Sequence, residues 1–101
     1  MILVRRELGD VLRDLRLQKG QTLRQVASKA SVALGYLSEV ERGQKEASSE
    51  ILFAVAEALD VPLSVILSEV SERVATLEGF APLRPIPDTV PDEFLSDFAA
   101  K

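Results

Sequence analysis

Apolar residues recur every three or four positions in five segments of this chain, which predicts five amphipathic helices. The first predicted helix spans about Arg5 to Gln18, and Lys19-Gly20 supplies a basic last turn and a glycine stop. Its apolar stripe consists of Leu8, Val11, Leu12 and Leu15.

The second and third segments are short and lie close together. Thr22 followed by Gln25 forms a capping-box pattern that opens the second helix. Its predicted inward face consists of Leu23, Val26, Ala27 and Ala30. Residues 31–33 are the predicted turn, and the third helix runs from about Leu34 to Arg42 with Leu37 and Val40 inward. Gly43 suits the residue after a helix end.

The fourth and fifth segments complete the predicted domain. The fourth helix starts at Ser48 or Ser49, with Ser48 as N-cap, and ends near Leu59. Its predicted stripe consists of Ile51, Leu52, Val55, Ala56 and Leu59. Pro62 fits the first turn of the fifth helix, and Gly79 would end that helix. Beyond it, four of the five prolines predict an extended tail over residues 79–101, with a short amphipathic end in DEFLSDF.

The spacing across the second and third segments is typical of a helix-turn-helix. Small Ala27 permits a close helix crossing, and Ser31, four residues later, falls where the backbone often has a positive φ. Leu37 and Val40 would hold the third helix on the core. The alternative is an ordinary antiparallel helix pair, which spacing alone leaves open.

Composition narrows the function classes. The chain has 101 residues and is 47% hydrophobic but only 5% aromatic, so aliphatic side chains must fill the core. Because it has no cysteine and no histidine, disulfides, thiolate chemistry and the usual zinc sites are excluded. No catalytic constellation, cofactor site or metal site is evident. No signal peptide or membrane span is indicated, and a cytoplasmic protein is expected.

Charge is distributed unevenly along the chain. Residues 1–45 carry nine basic and five acidic side chains, a net charge of +4. Residues 46–101 carry three basic and eleven acidic side chains, a net charge of −8. A basic N-terminal half facing phosphates and a repelled C-terminal half would orient the molecule on DNA, although charge also varies along helical proteins that bind none.

Several motifs resemble the Cro/C1-type (XRE-like) helix-turn-helix regulators. They are GQTLRQVA, YLSEVERG, SSEIL and ALDVPL, and the likeness covers about residues 5–68. The segment LGYLSEVERGQKEASSE is similar to the corresponding segment of the actinobacterial regulators of Clp protease genes. The resemblance implies an all-α, five-helix, lambda-repressor-like fold: residues 1–78 form the DNA-binding domain, including an extended dimerisation helix at about 62–78. It also implies transcription activation, here of protease and stress genes.

The resemblance also places candidate base contacts on the third helix. They are Leu34, Gly35, Ser38 and Glu39. Glu39 would accept from cytosine N4, and Leu34 would contact a thymine methyl. The alternative for Glu39 is an exposed acid repelled by phosphate. Gly35 costs a helix about 1 kcal/mol relative to alanine; it either permits close approach to DNA or is simply tolerated. Ala33 departs from the Ser or Thr cap usual in the family.

The candidate DNA-backbone contacts lie at the start of the second helix and after the third. They are Thr22, Leu23, Arg24, Tyr36, Arg42, Gln44 and Lys45. Helix N-termini and basic side chains both suit phosphate oxygens. The resemblance further implies a structural ion pair between Arg16 and Glu41.

A heptad seam in the fifth helix is the candidate homodimer interface. It consists of Leu63, Leu67, Val70, Val74 and Leu77. The seam packs either onto the chain's own helices or onto a partner; from Val70 onward little intrachain core is expected, which favours the partner. Two half-sites would give the specificity that one recognition helix lacks.

Other partners and functions stay open. RNA polymerase, facing Glu46, Glu50 and Glu57, is one further candidate partner, and a protease acting on the tail is another. The tail's apolar residues are otherwise expected either to wrap the partner subunit or to stay disordered; they are Leu83, Ile86, Phe94, Leu95 and Phe98. Rival functions are a phage-type repressor, an antitoxin of the same fold, or a protein–protein module without DNA binding.

Overall fold

A computed structural model of the protein describes residues 1–79. Within that range the chain forms five α-helices and no strand, which confirms the all-α prediction. The helices are α1 (Val4–Gln18), α2 (Leu23–Ala30), α3 (Leu34–Glu41), α4 (Ser49–Leu59) and α5 (Leu63–Leu77). The expectations for the proline-rich tail and its amphipathic end fall on residues 80–101, outside the described residues.

Side-chain caps fix two of the helix starts. The Thr22 hydroxyl accepts from the backbone N–H of Gln25 at 3.1 Å, and the Gln25 side chain accepts from the N–H of Thr22 at 2.8 Å. Ser48 accepts from the N–H of Ile51 at 3.3 Å. The predicted capping box and the predicted Ser48 cap are therefore both confirmed.

Two other helix boundaries differ slightly from the sequence-based prediction. Pro62 lies at the N-cap of α5, because its ψ of 140° is extended, and not inside the first helical turn. Arg42 is the C-cap of α3 and not its last residue.

The core lies where α1 packs against α5 and α3, and α2 packs against α4 and α3. Its fully buried side chains are Val11, Leu12, Val26, Leu37, Val40, Val55, Leu59 and Ile66. Each contributes on the order of 2 kcal/mol through burial of apolar surface. Because Leu37 and Val40 are among them, the core fixes which face of α3 points outward.

The fifth helix corrects one expectation about the heptad seam. Val70 is only 7% exposed, so the expectation that little intrachain core remains from Val70 onward is wrong. The reason is that α1 packs along α5 and covers Val70. An ion pair between Arg73 and Asp14 also connects the two helices. Leu63 and Val74 are partly buried against the core, whereas Leu67 and Leu77 are 51% and 56% exposed. The seam is thus divided between core and surface.

Within residues 1–79 no single helix has the length and apolarity needed to cross a bilayer. Helices α4 and α5 reach those limits only when taken together, and they meet at an angle of 106°.

Candidate nucleic-acid interface

The turn between α2 and α3 has the backbone conformation that the spacing predicts. Ser31 is left-handed, with φ 57° and ψ 41°. The N–H of Val32 donates to the carbonyl of Ala27 at 3.0 Å, which closes the end of α2. Ala27 is buried at the crossing of the two helices. A serine holds this position at a modest backbone cost, where glycine would have none.

The outward face of α3 follows from its buried face. At 100° per residue, Gly35 and Glu39 lie opposite the buried Leu37 and Val40, and Arg42 continues the same stripe. Gly35 and Arg42 are exposed, and Glu39 is half-buried. We call Gly35, Glu39 and Arg42 the outward stripe of α3. Of the predicted base contacts, Gly35 and Glu39 lie on this stripe.

The other two predicted base contacts lie at the edges of the stripe. Leu34 is half-buried and packs partly against the core. Ser38 is also half-buried and lies on the wall of a polar depression of about 430 Å³ between α1 and α3. Arg13 and Arg42 line the same depression. Arg13 was not among the predicted contacts, and only the packing of α1 against α3 places it beside Arg42.

The first turn of α2 presents free backbone donors to solvent. The capping box satisfies the N–H groups of Thr22 and Gln25. The N–H groups of Leu23 and Arg24 belong to the first helical turn and have no intrahelical acceptor. These two donors, together with the exposed Arg24 side chain, form a surface suited to a phosphate oxygen.

The loop after α3 carries the exposed side chains of Gln44 and Lys45. Arg5 of α1 donates from Nε to the carbonyl of Gly43 at 3.0 Å. Gly43 has φ 73°, and a Cβ there would lie 2.8 Å from the Cα of Arg6. The loop is therefore held against the start of α1, in a conformation that only glycine adopts easily.

Tyr36 has an intramolecular role that the sequence did not predict. Its hydroxyl donates to the backbone carbonyl of Glu46 at 2.8 Å. In this arrangement the hydroxyl proton is committed to the loop, and only the oxygen's acceptor capacity remains for another group. Tyr36 thus braces the loop that carries Gln44 and Lys45.

The ion pair implied between Arg16 and Glu41 is present. Arg16 donates from Nε to Oε2 of Glu41 at 2.7 Å and from Nη2 to Oε1 at 3.0 Å, while Nη1 donates to the carbonyl of Gln21 at 3.1 Å. Both side chains are largely buried, at 13% and 8% exposed. The hydrogen bond to Glu41 raises the pKa of Arg16, against an opposing effect of burial, so the guanidinium stays charged around neutral pH. The pair joins α1 to the end of α3.

A second contact between α1 and α3 was missed from the sequence. A Cβ on Gly9 would lie 2.5 Å from the carbonyl oxygens of both Val40 and Glu41. The two helices therefore approach at a distance that only a glycine permits. Gly9 falls within an otherwise regular helical pattern, and its neighbours in the sequence carry no sign of this contact.

Comparison with known proteins agrees with this geometry. A helix-turn-helix family model matches residues 12–66, more than half of the chain. The chain belongs to the helix-turn-helix family. This helix-turn-helix protein is 54% identical over 83 residues to the transcriptional regulator ClgR of Mycobacterium tuberculosis, covering 82% of this chain and 74% of ClgR. It is 38% identical over 66 residues to the regulator SinR of Bacillus subtilis, covering 64% of this chain and 60% of SinR.

Solved helix-turn-helix structures show the same architecture. The crystal structure of the clp gene regulator ClgR from Corynebacterium glutamicum matches with a TM-score of 0.73 at 44% identity, covering 77% of this chain and 83% of that chain. The restriction-modification controller protein C.Esp1396I matches with a TM-score of 0.67 at 22% identity, over 73% of this chain and 95% of that chain, which shows the fold alone. The chain is thus a ClgR-like transcriptional regulator with a helix-turn-helix DNA-binding fold.

Proposed function

We propose that this protein binds specific double-stranded DNA sequences as a homodimer on palindromic operators and activates transcription. The observation that carries the proposal is the outward stripe of α3, which the core holds away from the buried face of that helix. Glu39 lies in the middle of that stripe, α2 packs against α3, and the loop with Gln44 and Lys45 directly follows α3. This is the arrangement with which a recognition helix enters the major groove.

Surface charge supports the same orientation. Arg42 of the outward stripe is exposed, as are Arg24 in the first turn of α2 and Lys45 in the loop after α3. The exposed acids Glu50 and Glu57 lie on α4, outside that stripe and its flanking groups. Phosphate contacts would position the protein, while Glu39 and its neighbours would discriminate between base edges.

The exposed part of α5 supports dimerisation. Val65, Leu67 and Leu77 are each more than 40% exposed. Leu67 also lines an apolar groove of about 270 Å³ together with Val4 and Leu52. A second copy packing on this surface would bury it and set the distance between two recognition helices.

The regulatory direction is proposed from the relatives. The Corynebacterium protein is a clp gene regulator, and we propose that this chain regulates protease genes of that kind as an activator. The exposed acids on α4 form a candidate contact surface for RNA polymerase. Reporter expression from a clp promoter should fall when the gene for this chain is deleted. If the chain were a repressor, the same deletion would raise reporter expression.

Salt dependence tests DNA binding itself. The probe is a duplex selected by the full chain from a randomised library. Neutralising several phosphates releases counterions, so log K should fall with log salt by about 0.9 for each phosphate contacted. A protein–protein module of the same fold would enrich no duplex and show no such slope.

Two matched single substitutions separate base contacts from backbone contacts. Glu39→Ala should change base preference at one position in each half-site, since it removes an acceptor from the groove-facing stripe. Lys45→Ala should weaken all duplexes alike and lower the salt slope by about one. A uniform effect of Glu39→Ala would remove Glu39 from base discrimination, and a sequence-restricted effect of Lys45→Ala would contradict its phosphate role.

A further inference from the structure

Gly35 is a glycine that the fold itself does not require. An added Cβ at this position meets no heavy atom within 4 Å, and its φ lies outside the range that favours glycine. Gly9 and Gly43 differ, since a Cβ on either would collide with backbone atoms of another element. Glycine is among the least favourable residues in a helix, and α3 has only eight residues. The protein therefore keeps a residue that weakens α3 and gains nothing from it in internal packing.

The position of Gly35 indicates what the missing side chain leaves room for. Gly35 is exposed and lies one turn before Glu39 on the outward stripe of α3. Beyond the two adjacent residues, no heavy atom of another side chain, that of Glu39 included, lies within 4 Å of the position that a Cβ of Gly35 would take. The absent Cβ thus leaves a notch on the outward stripe of α3, the surface that is proposed to face the DNA.

We propose that Gly35 determines specificity through this notch, which admits the edge of one base pair against the backbone of α3. The inference rests on the proposed function and extends it: one position in each half-site is selected because a base edge fits where any larger residue would exclude it. In this arrangement the base edge lies beside Glu39, which can accept a hydrogen bond from it.

The test compares Gly35→Ala with the wild-type chain in two measurements. Alanine should raise the thermal unfolding midpoint by about 4 °C, because it favours the helix and meets open space. The same variant should lose about tenfold or more in affinity for the duplex selected by the wild type, while its affinity for an unrelated duplex should change less than twofold. Gln18→Ala, at the exposed end of α1 and outside the proposed DNA and dimer surfaces, is the control for a helix-favouring change away from α3.

Each outcome has one meaning. A more stable Gly35→Ala protein that loses only the selected duplex supports the notch. Unchanged or tighter binding to the selected duplex overturns it, and so does an equal loss on both duplexes, which would indicate a backbone contact. If the wild-type chain itself selects no duplex, the proposed function fails and the inference fails with it. If the wild type binds and Gly35→Ala binds equally well, the inference alone fails.

Discussion

Arg16 of α1 and Glu41 of α3 form a bidentate ion pair that is largely buried. Replacing Glu41 with leucine should destabilise the protein by about 3 kcal/mol, because Arg16 is then left nearly buried and unpaired. Urea denaturation measures the loss. Arg16→Met together with Glu41→Leu is the control: removing both charges should restore most of the stability. A double variant as unstable as Glu41→Leu alone would contradict this account of the pair.

Gly9 should tolerate no larger residue. Gly9→Ala places a methyl group 2.5 Å from the carbonyl oxygens of Val40 and Glu41, so α1 and α3 must separate. We expect a loss of about 2 kcal/mol in the free energy of unfolding, in spite of alanine's better helix propensity. Gly35→Ala is the matched control, since the same chemical change there meets open space. Equal stability changes at the two positions would show that the close approach has no energetic consequence.

Removing the Tyr36 hydroxyl should loosen the loop that carries Lys45. Tyr36→Phe loses the hydrogen bond to the carbonyl of Glu46 and should cost about 1 kcal/mol of stability. Because the loop would then hold Gln44 and Lys45 less firmly, affinity should fall several-fold on selected and unrelated duplexes alike. Binding isotherms on both duplexes measure this. A loss confined to the selected duplex would instead identify Tyr36 as a base contact.

The exposed part of α5 should control association of two copies. Leu67→Asp combined with Leu77→Asp should produce folded monomers, because both residues are more than half exposed in the single chain. Sedimentation equilibrium measures the mass, and circular dichroism verifies the helix content. Val70→Asp is the contrasting variant and should unfold the chain, since Val70 is 7% exposed. Dimers that persist in the double variant would place the interface elsewhere.

Local spacing was sufficient to predict the capping box of α2 and the left-handed turn of the helix-turn-helix. Thr22 and Gln25 are three residues apart, and Ala27 and Ser31 are four apart. The cap and the turn are therefore determined by residues that are close together in the sequence. The contacts that hold the helix-turn-helix in place were not predictable in this way. Gly9 meets Glu41 and Arg5 meets Gly43 across more than thirty residues, and neither contact has a periodic signal.

The heptad seam shows a related limit. Periodicity correctly places Leu67, Val70 and Leu77 on one side of α5. It does not indicate which neighbour covers each of them, because that depends on where α1 crosses. In the structure α1 covers Val70 and leaves the other two exposed.

The contacts of α1 with its neighbours have a mechanical consequence. Arg16 couples α1 to the end of α3, and Asp14, two residues earlier and on nearly the opposite side of α1, couples it to Arg73 of α5. A second copy bound to α5 would therefore be connected to α3 through α1. Two copies joined at Leu67 and Leu77 would hold their recognition helices at a set distance, so an operator with mismatched spacing would have to bend or twist to be bound.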